Sequence, residues 1–231
     1  MKKTFLASAM SAMLIAMSGV AQAAIVSVTY SGKVTSGVDT TGVFGAPGVN
    51  LAGLPFTVKY VFDTARGAVT MGPPQFSAIG GAAAGTASPS IATLVVINGR
   101  ALLYTGNQFG EILGYNDGQL SQQAHESDMT LNAGGRTYNI NLNESITDFG
   151  VALPATITGP LNYTVGTNDT KTGELNLIIT NTSTGESIGS ADVFLDAASL
   201  QIKTLLGATS VSSALQPSPA LSHITRLGLV R

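Results

Sequence analysis

The chain has 231 residues, of which only 10% are charged, and its net charge at pH 7 is −2. A nearly neutral chain without a basic patch lacks the electrostatic signature of a nucleic-acid-binding protein. Cysteine is absent, which excludes disulfides, thiol nucleophiles and thiolate metal sites. The hydrophobic core alone must therefore hold the fold together.

Residues 1–23 have the features of a signal peptide. Lys2 and Lys3 form a positive n-region, residues 5–20 are apolar, and Ala21-Gln22-Ala23 is a small-x-small cleavage site. The apolar run is short for a bilayer span, which needs about 20 residues. We expect cleavage after Ala23, a mature chain without a membrane span, and a secreted, extracellular or cell-surface location.

The first part of the mature chain contains two segments in which apolar and polar residues alternate. Residues 25–34 alternate, and residues 55–64 do so again. A period of two is typical of strands with one buried face. The chain between them, which includes Asp39 to Gly53, is predicted to be a long loop.

The middle of the chain begins with a loop signal and continues with a hairpin signal. Residues 66–89 are rich in proline and glycine, which predicts a long surface loop. Asn98-Gly99 then predicts a two-residue type I′ turn that sets Val95 opposite Leu102. Both faces of this hairpin are largely apolar, so we expect it to be covered on both sides.

The second half of the chain continues the alternation. Tyr138, Ile140 and Leu142 alternate with asparagines and threonine, residues 145–149 fit either a helix or a turn, and four further strand-like segments follow. The pattern predicts an all-β fold, an antiparallel, jelly-roll-like β-sandwich of about ten strands, with a β-barrel as the alternative. We predict one domain at residues 24–208 and a disordered tail at residues 209–231.

A family resemblance rests on about forty residues near the mature N-terminus. The segments are Tyr30-Ser-Gly-Lys-Val-Thr-Ser-Gly37, Asp39-Thr-Thr-Gly-Val-Phe-Gly-Ala-Pro-Gly48, Leu51-Ala-Gly53 and Tyr60-Val-Phe-Asp-Thr64. They resemble the N-terminal part of the PEP-CTERM class of secreted bacterial surface proteins. That class normally ends in Val-Pro-Glu-Pro, an apolar helix and an arginine cluster. Residues 215–231 lack these features, which fits either a naturally soluble relative or a frameshift near codon 215.

The resemblance implies a non-enzymatic exported protein of the cell surface or extracellular matrix, associated with biofilm or exopolysaccharide. Two alternatives stay open, a carbohydrate-binding module and a polysaccharide hydrolase. An extracellular polysaccharide is the expected partner, and no nucleic acid is expected. The ligand, the activity and the oligomeric state are left open.

Carbohydrate contact, if present, is assigned to Tyr104 and Tyr115. The asparagines at 139, 141 and 143 offer amides on the polar face of one predicted strand. The absence of tryptophan argues against a strong aromatic platform, and the competing interpretation places both tyrosines in the core or at its rim.

No catalytic or cofactor-binding residue is assigned. In a strand, His125 and Ser127 share one face while Glu126 and Asp128 share the other, which weakens a His–Asp relay; His223 falls in the predicted tail. Two carboxylate pairs are conceivable for glycoside hydrolysis, Glu126/Asp128 and Asp192/Asp196, although thirteen acidic residues produce accidental pairs.

Calcium is the most plausible ion, because loop oxygens of Asp and Asn are its usual ligands. Asp39 with Asn50, or Asn168 with Asp169 and Glu174, are the candidate ligand sets. Neither matches the Asp-x-Asp-x-Asp-Gly loop. The same residue types also form turns for conformational reasons alone, so no cofactor is assigned and calcium is kept as a possibility.

Overall fold

The computed structural model describes residues 24–72, 74–81, 85–106, 108–157, 159–205 and 223–227. The predicted signal peptide and its cleavage site lie outside the described residues. Within these ranges the chain forms fourteen β-strands and no helix. The strands are β1 (Ile25–Asp39), β2 (Val49–Asn50), β3 (Pro55–Asp63), β4 (Ala68–Gly72), β5 (Gln75–Gly80), β6 (Ser90–Ile97), β7 (Arg100–Thr105), β8 (Phe109–Asn116), β9 (Ser121–Ala133), β10 (Arg136–Asp148), β11 (Leu161–Thr164), β12 (Thr170–Asn181), β13 (Ser187–Leu205) and β14 (His223–Leu227).

All fourteen strands belong to one sheet. Their order is β14-β7-β6-β3-β1-β13-β12-β10-β9-β8-β5-β4, with β11 beside β13 and β2 beside β1. Every pair is antiparallel except β14 with β7. The sheet curls into a half-barrel, which confirms the all-β prediction. Opposite parts of this one curled sheet form the two packed layers that were predicted as a sandwich. The structure has fourteen strands where about ten were predicted.

The core lies inside the curl, where β1, β3, β6 and β7 face β9. Most of the inward side chains are those that the alternating pattern marked as apolar. Fully buried examples are Val26, Val28, Val58, Leu102, Leu142, Leu177 and Ile202. Burial of each such side chain stabilises the fold by about 1.5–3 kcal/mol. The absence of disulfides is therefore compensated by a continuous apolar interior.

The β6–β7 hairpin has the predicted register. Val95 pairs with Leu102 and Ile97 with Arg100. Asn98 and Gly99 have φ values of 52° and 73°, as a type I′ turn requires. A second apolar cluster on the outward side of this region contains Val61, Ala92, Leu94 and Ala101, which agrees with the prediction of a hairpin apolar on both faces.

The longest strand, β13, looks like two strands in sequence because a β-bulge reverses its alternation. Ser31 pairs with Ser199 and Gly32 with Ala197, so Ala198 is left without a partner in β1. Before the bulge the odd-numbered residues are buried, and after it Leu200 and Ile202 are buried. A bulge of this kind shifts side chains to the opposite face.

Four segments differ from their sequence-based assignments. In the predicted loop between the first two strands, residues 35–39 continue β1 and Val49–Asn50 form β2. The predicted loop at 66–89 contains the hairpin β4–β5, which occupies the edge of the sheet, where a proline-rich turn removes few ladder hydrogen bonds. Residues 145–148 continue β10 as strand. Residues 223–227 form β14 within the segment 209–231, where we expected no regular structure; the rest of that segment lies outside the described residues.

Candidate functional site

The most polar part of the interior surrounds His125. Its Nδ1 lies 2.6 Å from the hydroxyl oxygen of Tyr30, which comes from β1 on the opposite side of the curl. The imidazole ring also packs against the rings of Tyr60 and Phe62, with centroids 6.0 and 5.5 Å away. His125 is thus held by aromatic rings from two strands and is 2% exposed.

Glu144 lies directly opposite His125 on β10 and is also inward. Its side chain is 1% exposed, and neither carboxyl oxygen has a hydrogen-bond partner. The carboxyl group rests over Gly173 of β12, where a Cβ atom would overlap Oε2. A glycine at this position therefore provides the space that the buried acid occupies.

Burial sets the protonation of both groups. It raises the pKa of Glu144 well above its usual value and lowers the pKa of His125 to about 3. Burial thus favours the protonated acid, and the imidazole is neutral at neutral pH. Nε2 of His125 and the hydroxyl oxygen of Tyr60 are likewise without partners. The two residues have the chemistry of a proton donor and acceptor, but both are enclosed in the core and do not meet a polymeric substrate.

Tyr104, one of the two predicted carbohydrate contacts, is fully buried. Its hydroxyl donates to the backbone oxygen of Ser127 at 3.2 Å, and Thr93 donates to the Ser127 hydroxyl at 3.0 Å. A ring in this position cannot stack on a sugar at the surface. The structure therefore places Tyr104 in the core, which is the competing interpretation of this tyrosine.

Tyr115, the other predicted contact, is half-buried near the end of β8. Its hydroxyl donates to Oδ2 of Asp117 at 2.8 Å, in the turn that follows. The two tyrosines do not form one platform, because one faces the core and the other lies at the rim.

A different aromatic side chain stands on the outer surface. Phe194 of β13 is 47% exposed. It lies opposite Glu174 of β12, which in turn lies opposite Asn143 of β10. A surface groove of about 360 Å³ runs over these residues, and its lining includes Thr35, Asn143, Lys171, Glu174, Phe194 and Asp196. We call this the Phe194 groove.

The outward side chains of β8, β9, β10, β12 and β13 form cross-strand rows, and we call this surface the outward face. One row contains Glu111, Glu126, Asn143, Glu174 and Phe194. The next row contains Asp128, Asn141, Asn176 and Asp192. Amides and carboxylates at this spacing can hydrogen-bond a chain of hydroxylated rings laid across the strands.

The two predicted carboxylate pairs both lie on the outward face. Glu126 and Asp128 are neighbours there, and burial together with Asp128 and Glu111 raises the pKa of Glu126 to about 7. Asp192 and Asp196 are four residues apart along β13, a separation of about 13 Å in a strand. Asp196 is also held by Lys171, whose Nζ lies 2.6 Å from Oδ1, so this pair does not converge.

Asp39, Asn50 and Asp169, three of the residues considered for calcium, accept hydrogen bonds within their loops. The buried Asp39 carboxylate accepts the backbone amides of Thr41, Gly42 and Phe44. Asp169 accepts the hydroxyl of Tyr163 and the amide of Gly166, in a separate groove of about 410 Å³ that does not include Glu174. Within the described ranges, no three His, Asp or Glu side chains are grouped so that they could hold a metal ion.

Sequence reasoning missed Glu144 and Phe194, although the alternation already contained both. Extending the buried parity of Ile140 and Leu142 by one step reaches Glu144. The parity that buries Val193 and Leu195 sends Phe194 outward. The missed signals were a charged residue at a position where the alternation predicts burial, and an aromatic residue at a position where it predicts exposure.

Comparisons with family models, with curated proteins and with solved structures give no match for this chain. A search of the described residues for a helix long and apolar enough to cross a membrane finds none.

Proposed function

We propose that this is a non-catalytic exported protein of the cell surface or extracellular matrix, and that it binds extracellular polysaccharide in the Phe194 groove. One observation carries the proposal. An aromatic ring that is 47% exposed lies beside a carboxylate and an amide, on three neighbouring strands of a rigid sheet. Ligand sites combine apolar or aromatic contact area with a small number of placed polar groups, and Phe194 with Glu174 and Asn143 has this composition.

The arrangement matches the two chemical aspects of a sugar ring. The C–H face of a pyranose is apolar and can lie on Phe194, while the hydroxyl groups at its edge can bond to Glu174 and Asn143. Because these side chains project from paired strands, they lose little conformational freedom on binding. The rows of the outward face would accommodate further rings along the polymer.

The non-catalytic part of the proposal is supported by where the titratable groups lie. Glu144 and His125 are enclosed in the core. Asp196 is neutralised by Lys171 at the margin of the groove. The groove thus offers contact surface, whereas Glu144 and His125 are enclosed in the core beneath the sheet.

Native electrophoresis through gels that contain the producing bacterium's extracellular polysaccharide tests the binding. We expect the polysaccharide to retard the protein, and Phe194→Ala to abolish the retardation. Phe149→Ala is the matched control, since Phe149 is 57% exposed but lies in the other groove. No retardation of the parent, or equal loss in both variants, would refute the proposal, and release of new reducing ends would favour a hydrolase.

Export is tested by the mass of the protein recovered from a culture. We propose that the leader is removed after Ala23, so the mature chain begins at Ala24. The expected result is that mass in the medium or on the cell surface. A full-length chain retained in the cytoplasm would contradict the proposed location.

A further inference from the structure

The charge of the outward face bears on which polysaccharide it can bind. Five carboxylates occupy the two rows, and these are Glu111, Glu126, Asp128, Glu174 and Asp192. Their cross-strand neighbours are asparagines, one another or apolar residues, and the apolar neighbours are Phe194, Phe109, Ile79 and Val38. Glu126 lies between Glu111 and Asn143, and Glu174 lies between Asn143 and Phe194. The rows therefore present negative charge separated by neutral amides.

The cations near this face lie at its margin. Lys171 pairs with Asp196, and Lys33 lies opposite Asp196 on β1. Both positive charges thus gather around Asp196, which is outside the two rows, and the Lys171–Asp196 pair forms one side of the Phe194 groove. The crowding within the rows is also visible in Glu126, whose raised pKa has burial as its main cause and Asp128 and Glu111 as further causes. A positive group placed on the rows would relieve this repulsion.

We propose, resting on the polysaccharide-binding function above, that the Phe194 groove binds a polysaccharide with free amino groups, a deacetylated amino-sugar polymer. One ring stacks on Phe194 and its ammonium group lies against Glu174. An ammonium donates charge-assisted hydrogen bonds to a carboxylate, which are about twice as strong as neutral ones. A polymer of uronic acids would bring its own carboxylates against these rows and be repelled.

The test compares three oligosaccharides of equal length by calorimetry with the full exported chain, below the pKa of the sugar amine. The three are glucosamine oligomers, the same oligomers fully N-acetylated, and oligomers of a uronic acid. We expect the glucosamine oligomer to bind at least tenfold more tightly than the acetylated one, and the uronic acid oligomer not to bind. Binding of the amine oligomer should weaken as salt rises, because salt screens exposed charges.

Variants separate recognition of the amine from recognition of the ring. Glu174→Gln should weaken binding of the amine oligomer about tenfold more than binding of the acetylated oligomer, whereas Phe194→Ala should weaken both to a similar degree. Glu186→Gln removes an exposed carboxylate from the β12–β13 turn and serves as the matched control for nonspecific charge attraction. Equal loss in Glu174→Gln and Glu186→Gln would overturn the proposal.

The outcomes also distinguish this inference from the function on which it rests. Equal or tighter binding of the acetylated oligomer, still lost in Phe194→Ala, would overturn the amine preference and leave polysaccharide binding intact. Preference for the uronic acid oligomer would likewise overturn the charge argument alone. Absence of binding to every oligomer and to the native polysaccharide would overturn both.

Discussion

His125 and Glu144 lie directly opposite each other on the inward face of β9 and β10, yet they form no ion pair. Burial favours the neutral form of each group, so the proton that the unfolded chain holds on histidine is held on glutamic acid after folding. This relationship contributes in a defined way to the dependence of stability on pH.

We expect a plateau of stability between about pH 4.5 and 6.5 from this pair. The raised pKa of Glu144 means that the native state keeps a proton that the unfolded chain releases above pH 4.5, so its contribution to stability falls as pH rises. The lowered pKa of His125 means that the unfolded chain alone takes up a proton between pH 6.5 and about 3, so its contribution falls as pH drops. Between 4.5 and 6.5 the two slopes cancel.

Denaturant unfolding as a function of pH checks this, with Glu144→Gln and His125→Gln as separate probes. The free energy of unfolding of the parent minus that of Glu144→Gln should fall by about 1.4 kcal/mol per pH unit above pH 4.5. The corresponding difference for His125→Gln should change only between about pH 3 and 6.5. The pKa of Glu126 is also raised, so the same measurement on Glu126→Gln determines the separate contribution of that residue. A difference that does not vary with pH would disprove the neutral pair.

Alternation and turn residues were enough to predict the all-β class, the hairpin at Asn98-Gly99 and the placement of His125 and Glu126 on opposite faces of their strand. These features depend on local period and turn chemistry, which a single sequence contains. The closure of fourteen strands into one curled sheet depends on pairings such as β1 with β13, between residues 25–39 and 191–205. No local signal encodes such distant pairing.

The candidate site was less accessible from sequence than the fold, for a related reason. Tyr104 seemed available because aromatic residues suit both a core and a sugar platform. Its burial depends on β7 facing β9 across the curl, as the bond to Ser127 shows. Phe194, Glu174 and Asn143 come together only through the register of three strands. Nothing in their sequence spacing joins them.

Tyr30→Phe should destabilise the protein, because it removes the partner of Nδ1 of His125. The two atoms are 2.6 Å apart and both are buried, so the imidazole would be left with an unsatisfied nitrogen. Loss of one partner of a buried hydrogen bond costs about 1–3 kcal/mol. Thermal or denaturant unfolding measures the change.

Tyr115→Phe is the matched control for that variant. It removes the same hydroxyl from a half-buried tyrosine whose partner, Asp117, is at the surface. We expect a change within about 0.5 kcal/mol. If the two substitutions had equal effects, the contact between Tyr30 and His125 would contribute nothing to stability.

Gly173→Ala should destabilise the fold through Glu144. A Cβ atom at this position would overlap Oε2 of Glu144 and lie 3.0 Å from Cβ of Leu195. Overpacking of a core typically costs about 1–3 kcal/mol. In a Glu144→Ala background the main obstacle is gone, so a double-mutant cycle should give a coupling energy of about 0.5–3 kcal/mol. Gly159→Ala, which meets no atom within 4 Å, should have little effect. If the changes in unfolding free energy of Gly173→Ala and Glu144→Ala were additive in the double variant, Gly173 would not accommodate the carboxyl group.

Asp39→Asn should loosen the loop after β1, and the effect should be independent of calcium. The carboxylate accepts three backbone amides and the Thr41 hydroxyl, the latter at 2.5 Å. An asparagine replaces one acceptor oxygen with a donor, so at least one buried donor loses its partner at a cost of about 1–3 kcal/mol. Asp192→Asn, at an exposed position, should change the free energy of unfolding very little.

The melting temperature of the parent should be the same with EDTA and with added calcium, because the Asp39 carboxylate already accepts four hydrogen bonds. A melting temperature that falls in EDTA, and no longer does so in Asp39→Asn, would show instead that this carboxylate is a calcium ligand.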